Sequence, residues 1–436
     1  MSTLLAFPRL SHAAPDDGFA LSDDAALMAG AVVASGRDVA SSWYNPALLT
    51  HNDRLRADVS ATAYGLRFVR APRGLQLRDD ERERVSAIHG REFLVVPTAF
   101  AIGSAVGSRV SLGFGFFTSR FSEPTLVVRG GLEAADPFTA EVRRAGVNRR
   151  YHAGPLFGLR VNRDFDIGLA LYGVYDKSSD SQRVFLEHVD EGGRSSLLTD
   201  TDTNVRSYGL RGAIGLKGNL SKRVSAGASL FTPAVIMFQR VEGSSATIEA
   251  TTSTDGMSTS ASDFEGYPVQ RRPSRIANWK VASGLAVGEK KWKLGLDAEA
   301  SPQHGPASGP LGRTTRWNVR MGFRLRASRR WTFGGGVFTD RNDSRATSVG
   351  SVRVNLYGVA AGVRLRTPVT LGKRERENRI AFRTTVGIRY AGGRGRAGGF
   401  EADFDGSTAA ERVDYGRSVG ATMHLLTVYV GSGLSF

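Results

Sequence analysis

The chain ends in "ATMHLLTVYVGSGLSF" (Ala421–Phe436). Counting back from the terminal aromatic, Leu434, Val430, Val428 and Leu426 share one face, interrupted only by Ser432. Ser435, Gly433, Gly431 and Thr427 share the other, which reads as small or polar. Side chains of an extended strand alternate with period two, so this is a ribbon apolar on one side only. Taken alone it suits the last strand of a soluble sheet as well as that of a barrel, and the chain upstream has to decide.

The same alternation recurs about fourteen times, in copies near the ~10 residues a barrel strand needs to cross a bilayer. In "RWNVRMGFRLR", Trp317, Val319, Met321, Phe323 and Leu325 oppose Asn318, Arg320, Gly322, Arg324 and Arg326. In "KWKLGLDAEA", Trp292, Leu294, Leu296 and Ala298 oppose Lys293, Gly295, Asp297 and Glu299. "NRIAFRTTVGIRY" and "RVSLGFGFFT" repeat the pattern. Arginine at three of five positions on one face is either exposed to bulk water or paired inside a lumen. The connections favour the lumen, because they alternate in length. Long ones follow Phe68, Thr118, Asp176, Val235, Ala300, Asp340 and Tyr390, and short ones carry turn residues such as "NRD", "GEKK" and "ASRR". Aromatic residues at strand ends (Trp292, Trp317, Trp331, Tyr151, Phe165, Tyr390) suit an interfacial girdle. The expectation is an all-β, antiparallel up-and-down transmembrane barrel of about 14 strands, spanning residues 54–436.

Composition agrees. Apolar residues make up 41% and no apolar run reaches the length of a membrane helix. The absence of cysteine removes disulfide, thiol and thiolate-metal chemistry, and is harmless in an oxidising periplasm. A net charge of +16 would suggest nucleic acid, but the basic residues recur at alternate strand positions rather than in a tail or on a helix. We therefore expect no nucleic-acid partner, and instead lumen arginines and rim contacts to outer-membrane lipid and lipopolysaccharide. "MSTLLAFPRLSHA" (1–13) reads as a signal-peptide remnant without a basic leader, and 14–53 is too rich in Ala, Gly and Ser to build its own core.

At "GRDVASSWYNPALLT" the chain resembles the FadL-type outer-membrane transporters of long-chain fatty acids and other hydrophobic compounds. Asn45-Pro46-Ala47 is similar to that family's hatch motif; "WTFGGGVFTDRND", "FLVVPTAF" with Pro97, and the terminal Phe436 extend the likeness almost end to end. A final aromatic of this kind resembles the signal read by the outer-membrane assembly machinery. The resemblance implies a fourteen-stranded barrel with residues 14–53 folded inward as a plug, in the outer membrane of a Gram-negative bacterium. It implies capture of a ligand by outer loops, a lumenal pocket, and sideways release through the wall.

Gly113 and Gly115 are the candidate gate, since paired glycines permit a bulge. Ile236, Met237 and Phe238, apolar on both faces, are candidates for an outer capture groove. A carboxylate ligand would need a cation, and Arg160, Arg211, Arg320, Arg324, Arg364 and Arg383 occupy lumen positions. Most of them should bridge to Asp166, Asp297 and Glu299. The seven histidines show no HExxH spacing, and "TDTDTN" (Thr199–Asn204) lacks the Gly and Glu of a calcium loop, so it reads as a solvated outer loop. We expect no enzyme, no cofactor and no metal, in a monomer that admits hydrophobic or amphipathic anionic molecules. A structural or adhesion barrel, or a general porin, are the alternatives.

Overall fold

The computed structural model describes residues 19–51, 55–79, 83–123, 125–132, 138–190, 193–253, 256–266, 277–302, 315–342, 352–370, 379–404 and 412–436. The segment 1–13 and the first residues of the expected plug lie outside them. One short helix (α1, Asp23–Leu27) and two 3₁₀ turns (Val39–Trp43 and Pro46–His51) precede the strands. These are β1 (Arg56–Asp79), β2 (Glu83–Val106), β3 (Val110–Ser122), β4 (Thr125–Leu132), β5 (Phe138–Arg160) and β6 (Phe165–Asp190). There follow β7 (Gly193–Asn219), β8 (Val224–Phe231), β9 (Val235–Ser253), β10 (Gly256–Gly266), β11 (Lys280–Gly288) and β12 (Trp292–Ser301). Last come β13 (Arg316–Arg326), β14 (Trp331–Asp340), β15 (Val352–Thr370), β16 (Arg379–Phe404) and β17 (Arg412–Ser435).

All seventeen belong to one sheet. β3 and β4 run in succession between β2 and β5; β8 and β9 do so beside β7, facing β11 and β10 in turn. Fourteen strand positions remain, and β17 closes the ring on β1, antiparallel from Arg56↔Ser435 to Arg70↔Thr422. Closure leaves no edge in a medium that cannot hydrogen-bond one.

Exposure is inverted relative to a water-soluble protein. Leu294, Leu296, Met321 and Phe323 are about half exposed, whereas Asp297 and Glu299 are 2% and 4% exposed and Arg320 is 5%. Trp317 and Leu325 lie eight positions apart on the outer face of β13, and Leu325 is opposite Trp292. At ~3.3 Å per residue and a tilt near 40° this band is about 20 Å tall, close to what an outer-membrane barrel presents to lipid. A row of rings, Phe116, Tyr151, Tyr175, Tyr208 and Phe238, crosses β3, β5, β6, β7 and β9 with centroids 5.0–6.2 Å apart. It forms part of the outer aromatic girdle. Among the described residues no helix is long and apolar enough to cross a membrane.

Several segments expected as long loops are largely strand, while those after Ala300 and Asp340 lie mostly outside the described residues. β1 continues past Phe68 to Asp79, β6 past Asp176 to Asp190, and β16 past Tyr390 to Phe404. Thr199–Asn204 lie within β7, where Asp200 pairs with Arg183 on β6, so they are no loop. Since ~10 residues cross the bilayer, 26- and 27-residue strands such as β6 and β7 stand well above it. Leu75, Leu77, Ile88, Val128, Val142, Leu186 and Phe400 pack together there, and the tip of β1 crosses to pair in parallel with β16. The outer hairpins thus lean over that end of the barrel on an apolar core of their own.

The terminal strand holds one correction. Leu426, Val428, Val430 and Leu434 do face outward, but the opposite face also carries Leu425 and Tyr429, 1% and 4% exposed. That face meets protein, and so it needs bulk wherever the lumen has room to fill.

Candidate functional site

Residues 19–51 are almost wholly buried and lie inside the ring. On each of the fourteen strand positions an inward glycine touches this segment, from Gly65 against Phe19 round to Gly431 against Asp23. The approach is tightest at Gly168 and Gly215. A Cβ on Gly168 would stand 2.1 Å from the carbonyl carbon of Pro46, and one on Gly215 would stand 2.1 Å from Asn45 Oδ1. A good share of the glycines is therefore the space the inner segment occupies.

Asn45 explains the Asn-Pro-Ala triplet physically. Its Nδ2 donates to the carbonyls of Val33 (2.8 Å) and Leu216 (2.9 Å), while its Oδ1 accepts from Ala47 N–H (3.1 Å). One buried amide thus ties the inner segment to itself, starts the 3₁₀ turn at Pro46, and docks it on β7. Asp24 is the second anchor. Fully buried, it accepts from Arg324 Nη1 (2.7 Å) and Arg364 Nη1 (2.8 Å), and from the backbone N–H of Arg37 (2.8 Å). Burial alone would raise its carboxyl, but the two guanidinium groups outweigh burial and hold it well below the carboxylate range. Asp38 accepts from the backbone N–H of Asp24 and from Ser41; burial first, then Asp24 and Asp23, push it up to about 6. Asp297 accepts from Val33 N–H (2.8 Å), and Tyr429 donates to Asp23 (3.0 Å).

The candidate arginines sort on this geometry. Arg324 and Arg364 hold Asp24, and Arg383 holds Asp58 (3.2 Å). Arg320 pairs with Glu299 (3.1 Å), and Arg160 donates to the carbonyl of Thr50 (2.6 Å) and faces Asp166 (3.7 Å). These five clamp inner segment to wall or wall to wall. Asp166 and Glu299 serve as expected, but Asp24 and Asp58, which take three of the five, carry no sequence signal marking them as partners. Arg211 differs: its guanidinium lies 4.9 Å over the ring of Phe231 and donates to the carbonyls of Thr232 (3.0 Å) and Asn278 (3.1 Å).

Arg211 borders a cluster that the sequence does not announce. Trp43 from the inner segment meets Phe117, His152, Tyr172 and Phe231 from four strands, at centroid distances of 4.8–5.6 Å. Lys280 Nζ stands 4.8 Å from the Phe231 ring. His152 is completely buried, and neither of its ring nitrogens has a hydrogen-bond partner among the described residues; nor has the Tyr172 hydroxyl. The only available signal was inward phase on β3, β5, β6 and β8, which marks a lumen position but not convergence.

Gly113 and Gly115 sit in unbroken ladder, paired to Gly103 and Ala101 on one side and to Leu156 and Gly154 on the other. The backbone ladder is interrupted a few residues further on. β2 pairs with β3 only up to Ala99↔Phe117, and with β4 only at Gly90↔Leu126 and Arg91↔Thr125. Between them Glu92–Thr98 has no ladder to the next strand. Side chains substitute: Arg67 pairs with Glu92 (2.5 Å) and donates to Ser122 (2.7 Å), Glu92 accepts from Glu123 N–H, and Thr118 donates to the carbonyl of Pro97. Behind the gap Phe19, Ala63, Leu94, Val96 and Phe121 form an apolar lining. Ile236, Met237 and Phe238, the capture-groove candidates, are strand residues rather than part of a loop. They lie in β9, with Met237 and Phe238 69% and 61% exposed on the outer wall, Phe238 in the girdle, and Ile236 packed on Val174 and Ala234.

A closed, glycine-lined ring around its own amino-terminal segment defines the molecule as an outer-membrane-type β-barrel. Its fold is that of the FadL-type channels. A Pseudomonas aeruginosa FadL homologue superimposes with TM-score 0.61 at 10% identity, over 98% of this chain and 99% of that one. The toluene transporters TodX of Pseudomonas putida (TM-score 0.54, 11% identity) and TbuX of Ralstonia pickettii (0.51, 12%) match over 96% of this chain and 99% of theirs. No protein-family model and no curated protein matches the sequence.

Proposed function

We propose that the protein admits hydrophobic or amphipathic small molecules, such as long-chain fatty acids, across the outer membrane by passive diffusion. The outer hairpins take up the ligand, the lumen holds it against the aromatic cluster, and it leaves sideways through the wall. The gap beside Glu92–Thr98 is the observation that carries this reading: a missing ladder in a barrel wall, lined inside by apolar residues, leads from lumen to lipid. An acyl chain gains about 0.8 kcal/mol per methylene by avoiding water, so an apolar side exit is preferred to an aqueous pore. The toluene transporters that share the fold support a hydrophobic cargo. Arg211 beside the aromatic cluster, with Lys280 that also pairs with Glu299 at 3.5 Å, favours a ligand with an anionic head. The filled lumen speaks against a general porin.

The test is uptake of labelled oleate and of toluene in cells with and without the protein; no difference for either removes the transport reading. Thr118→Trp, which sets an indole across the gap, should slow uptake while leaving heat-modifiable migration of the barrel unchanged. Normal uptake by that variant would refute the side exit and leave transport standing.

A further inference from the structure

The end of the barrel that carries the short turns holds a recess of about 220 Å³, bounded by the inner segment, by the ends of β12 to β17 and β1, and by the β11–β12 and β13–β14 turns. Eleven of its fifteen lining residues are Arg or Lys, and the single carboxylate among them, Glu289, is engaged by Arg223 at 2.8 Å. Arg324 and Arg364 hold Asp24, and Arg56 and Arg383 face Asp58. Arg37, Lys293, Arg326 and Arg366 have no carboxylate partner among the described residues. Arg37 belongs to the inner segment and the other three to the wall.

The strand register sharpens the conflict. Lys293 stands directly opposite Arg324, and Arg366 directly opposite Arg383. Like charges at facing positions of neighbouring strands destabilise a sheet. Here two such pairs share one recess with Arg37. Arg37, Arg326 and Arg366 are exposed and water screens part of the repulsion, but Lys293 is only partly exposed and Arg324 and Arg364 are drawn inward by Asp24. A bound anion resolves the repulsion, and several guanidinium forks around one small volume match the oxygens of a phosphoryl group. At ~30 Å³ per water the recess has room for a phosphate or pyrophosphate with part of its hydration.

We propose that this recess is a binding site for a multiply charged phosphoryl group, free or on a lipid head, which bridges Arg37 of the inner segment to Lys293, Arg326 and Arg366 of the wall. Occupancy fastens the inner segment at the mouth opposite the outer hairpins. The site is independent of the cargo, and its test does not depend on uptake.

The experiment is calorimetric titration of the purified full chain in detergent with pyrophosphate, at constant ionic strength set with sodium chloride. Hydrogen exchange of the amides of residues 37–41 is followed in parallel. Expected are saturable heat at one site per chain and slower exchange on binding. Arg326→Gln with Arg366→Gln should weaken affinity at least tenfold, whereas Arg240→Gln, on the remote β9, should not change it. Heat-modifiable migration reports folding of each variant, and Arg366→Gln alone, expected to lose a smaller part of the affinity, covers the case in which the double variant fails to fold. Repeating the titration in nanodiscs separates the sources. Competition from phosphatidic acid, a phosphomonoester, relative to phosphatidylcholine means that a lipid head enters the recess; equal affinity in both means that the site takes the free anion. No saturable heat, equal binding by wild type and the double variant, or unchanged exchange at 37–41 would overturn the proposal.

Discussion

Replacing Gly168 by alanine adds one methyl to a β6 glycine whose ladder partners, Gly158 and Gly215, are untouched by it. The new Cβ would lie 2.1 Å from the carbonyl carbon of Pro46 and 2.2 Å from the nitrogen of Ala47. Both neighbours are backbone, so no side chain can swing away. Restoring ordinary contact at 3.4 Å requires the turn after Asn45 to retreat by about 1.3 Å. That retreat takes the Asn45–Leu216 hydrogen bond from 2.9 Å to beyond any useful length. Overpacking of this kind costs about 1–3 kcal/mol and the lost hydrogen bond about 1 kcal/mol more. At ~1.4 kcal/mol per factor of ten, roughly 2–4 kcal/mol raises the undocked fraction of the inner segment some thirty- to several-hundred-fold. Gly420→Ala is the matched control, because a Cβ there meets nothing within 4 Å. Steady ion conductance in planar bilayers should rise for Gly168→Ala and not for Gly420→Ala, with normal heat-modifiable migration in both. If Gly168→Ala is as silent as the control, and Ala47 exchanges its amide hydrogen at the wild-type rate, the inner segment is not held by contact with the wall.

Further outcomes follow from the anchors. Asp24→Ala takes from Arg324 the carboxylate it shares with Arg364, which keeps Asp23 and Asp38 at 3.9 and 4.0 Å, and breaking a buried pair costs about 3–5 kcal/mol; steady conductance should rise above wild type, and an unchanged trace would show the clamp to be idle. Asp38 keeps its proton to about pH 6 in the folded chain, against 3.8 as its ordinary value, because it is buried beside Asp24 and Asp23, with Arg56 and Arg364 opposing. Its contribution is therefore complete below pH 3.8 and is lost as pH rises through about 6, so exchange of the 39–44 amides should slow between pH 7.5 and 5 after correction for the intrinsic rate. Asp38→Asn should flatten that dependence; a profile the same as wild type would exclude the group. Phe238→Ala removes one ring of the outer girdle and should lower the temperature of the heat-modifiable transition, at a cost of about 0.5–1.5 kcal/mol, with oleate uptake retained. Loss of uptake without loss of thermal stability would return Phe238 to a ligand groove.

The wall was legible in the sequence because its information is local. Alternation at Trp317–Arg326 assigns each side chain to lipid or lumen from its neighbours alone, and the strand count and closure follow from repetition and the short turns. Asn45-Pro46-Ala47 was legible for a similar reason: an amide that starts a turn leaves its mark within three residues. The strand extensions beyond the membrane were not, since polar runs such as Thr199–Asn204 look like loop until a partner strand pairs with them.

What the chain by itself determined, then, is the lipid-facing cylinder and the inward phase of the arginines; the inward course of the amino-terminal segment came only as an implication of the family resemblance. Only the tertiary structure decided which carboxylate each arginine holds, where the backbone ladder is interrupted, and which rings meet around Trp43. Phase along one strand is set by the chirality of the backbone and repeats every two residues. Convergence inside a ring is set by the stagger of fourteen strands and by the path of the segment they enclose, and no stretch of the sequence contains both.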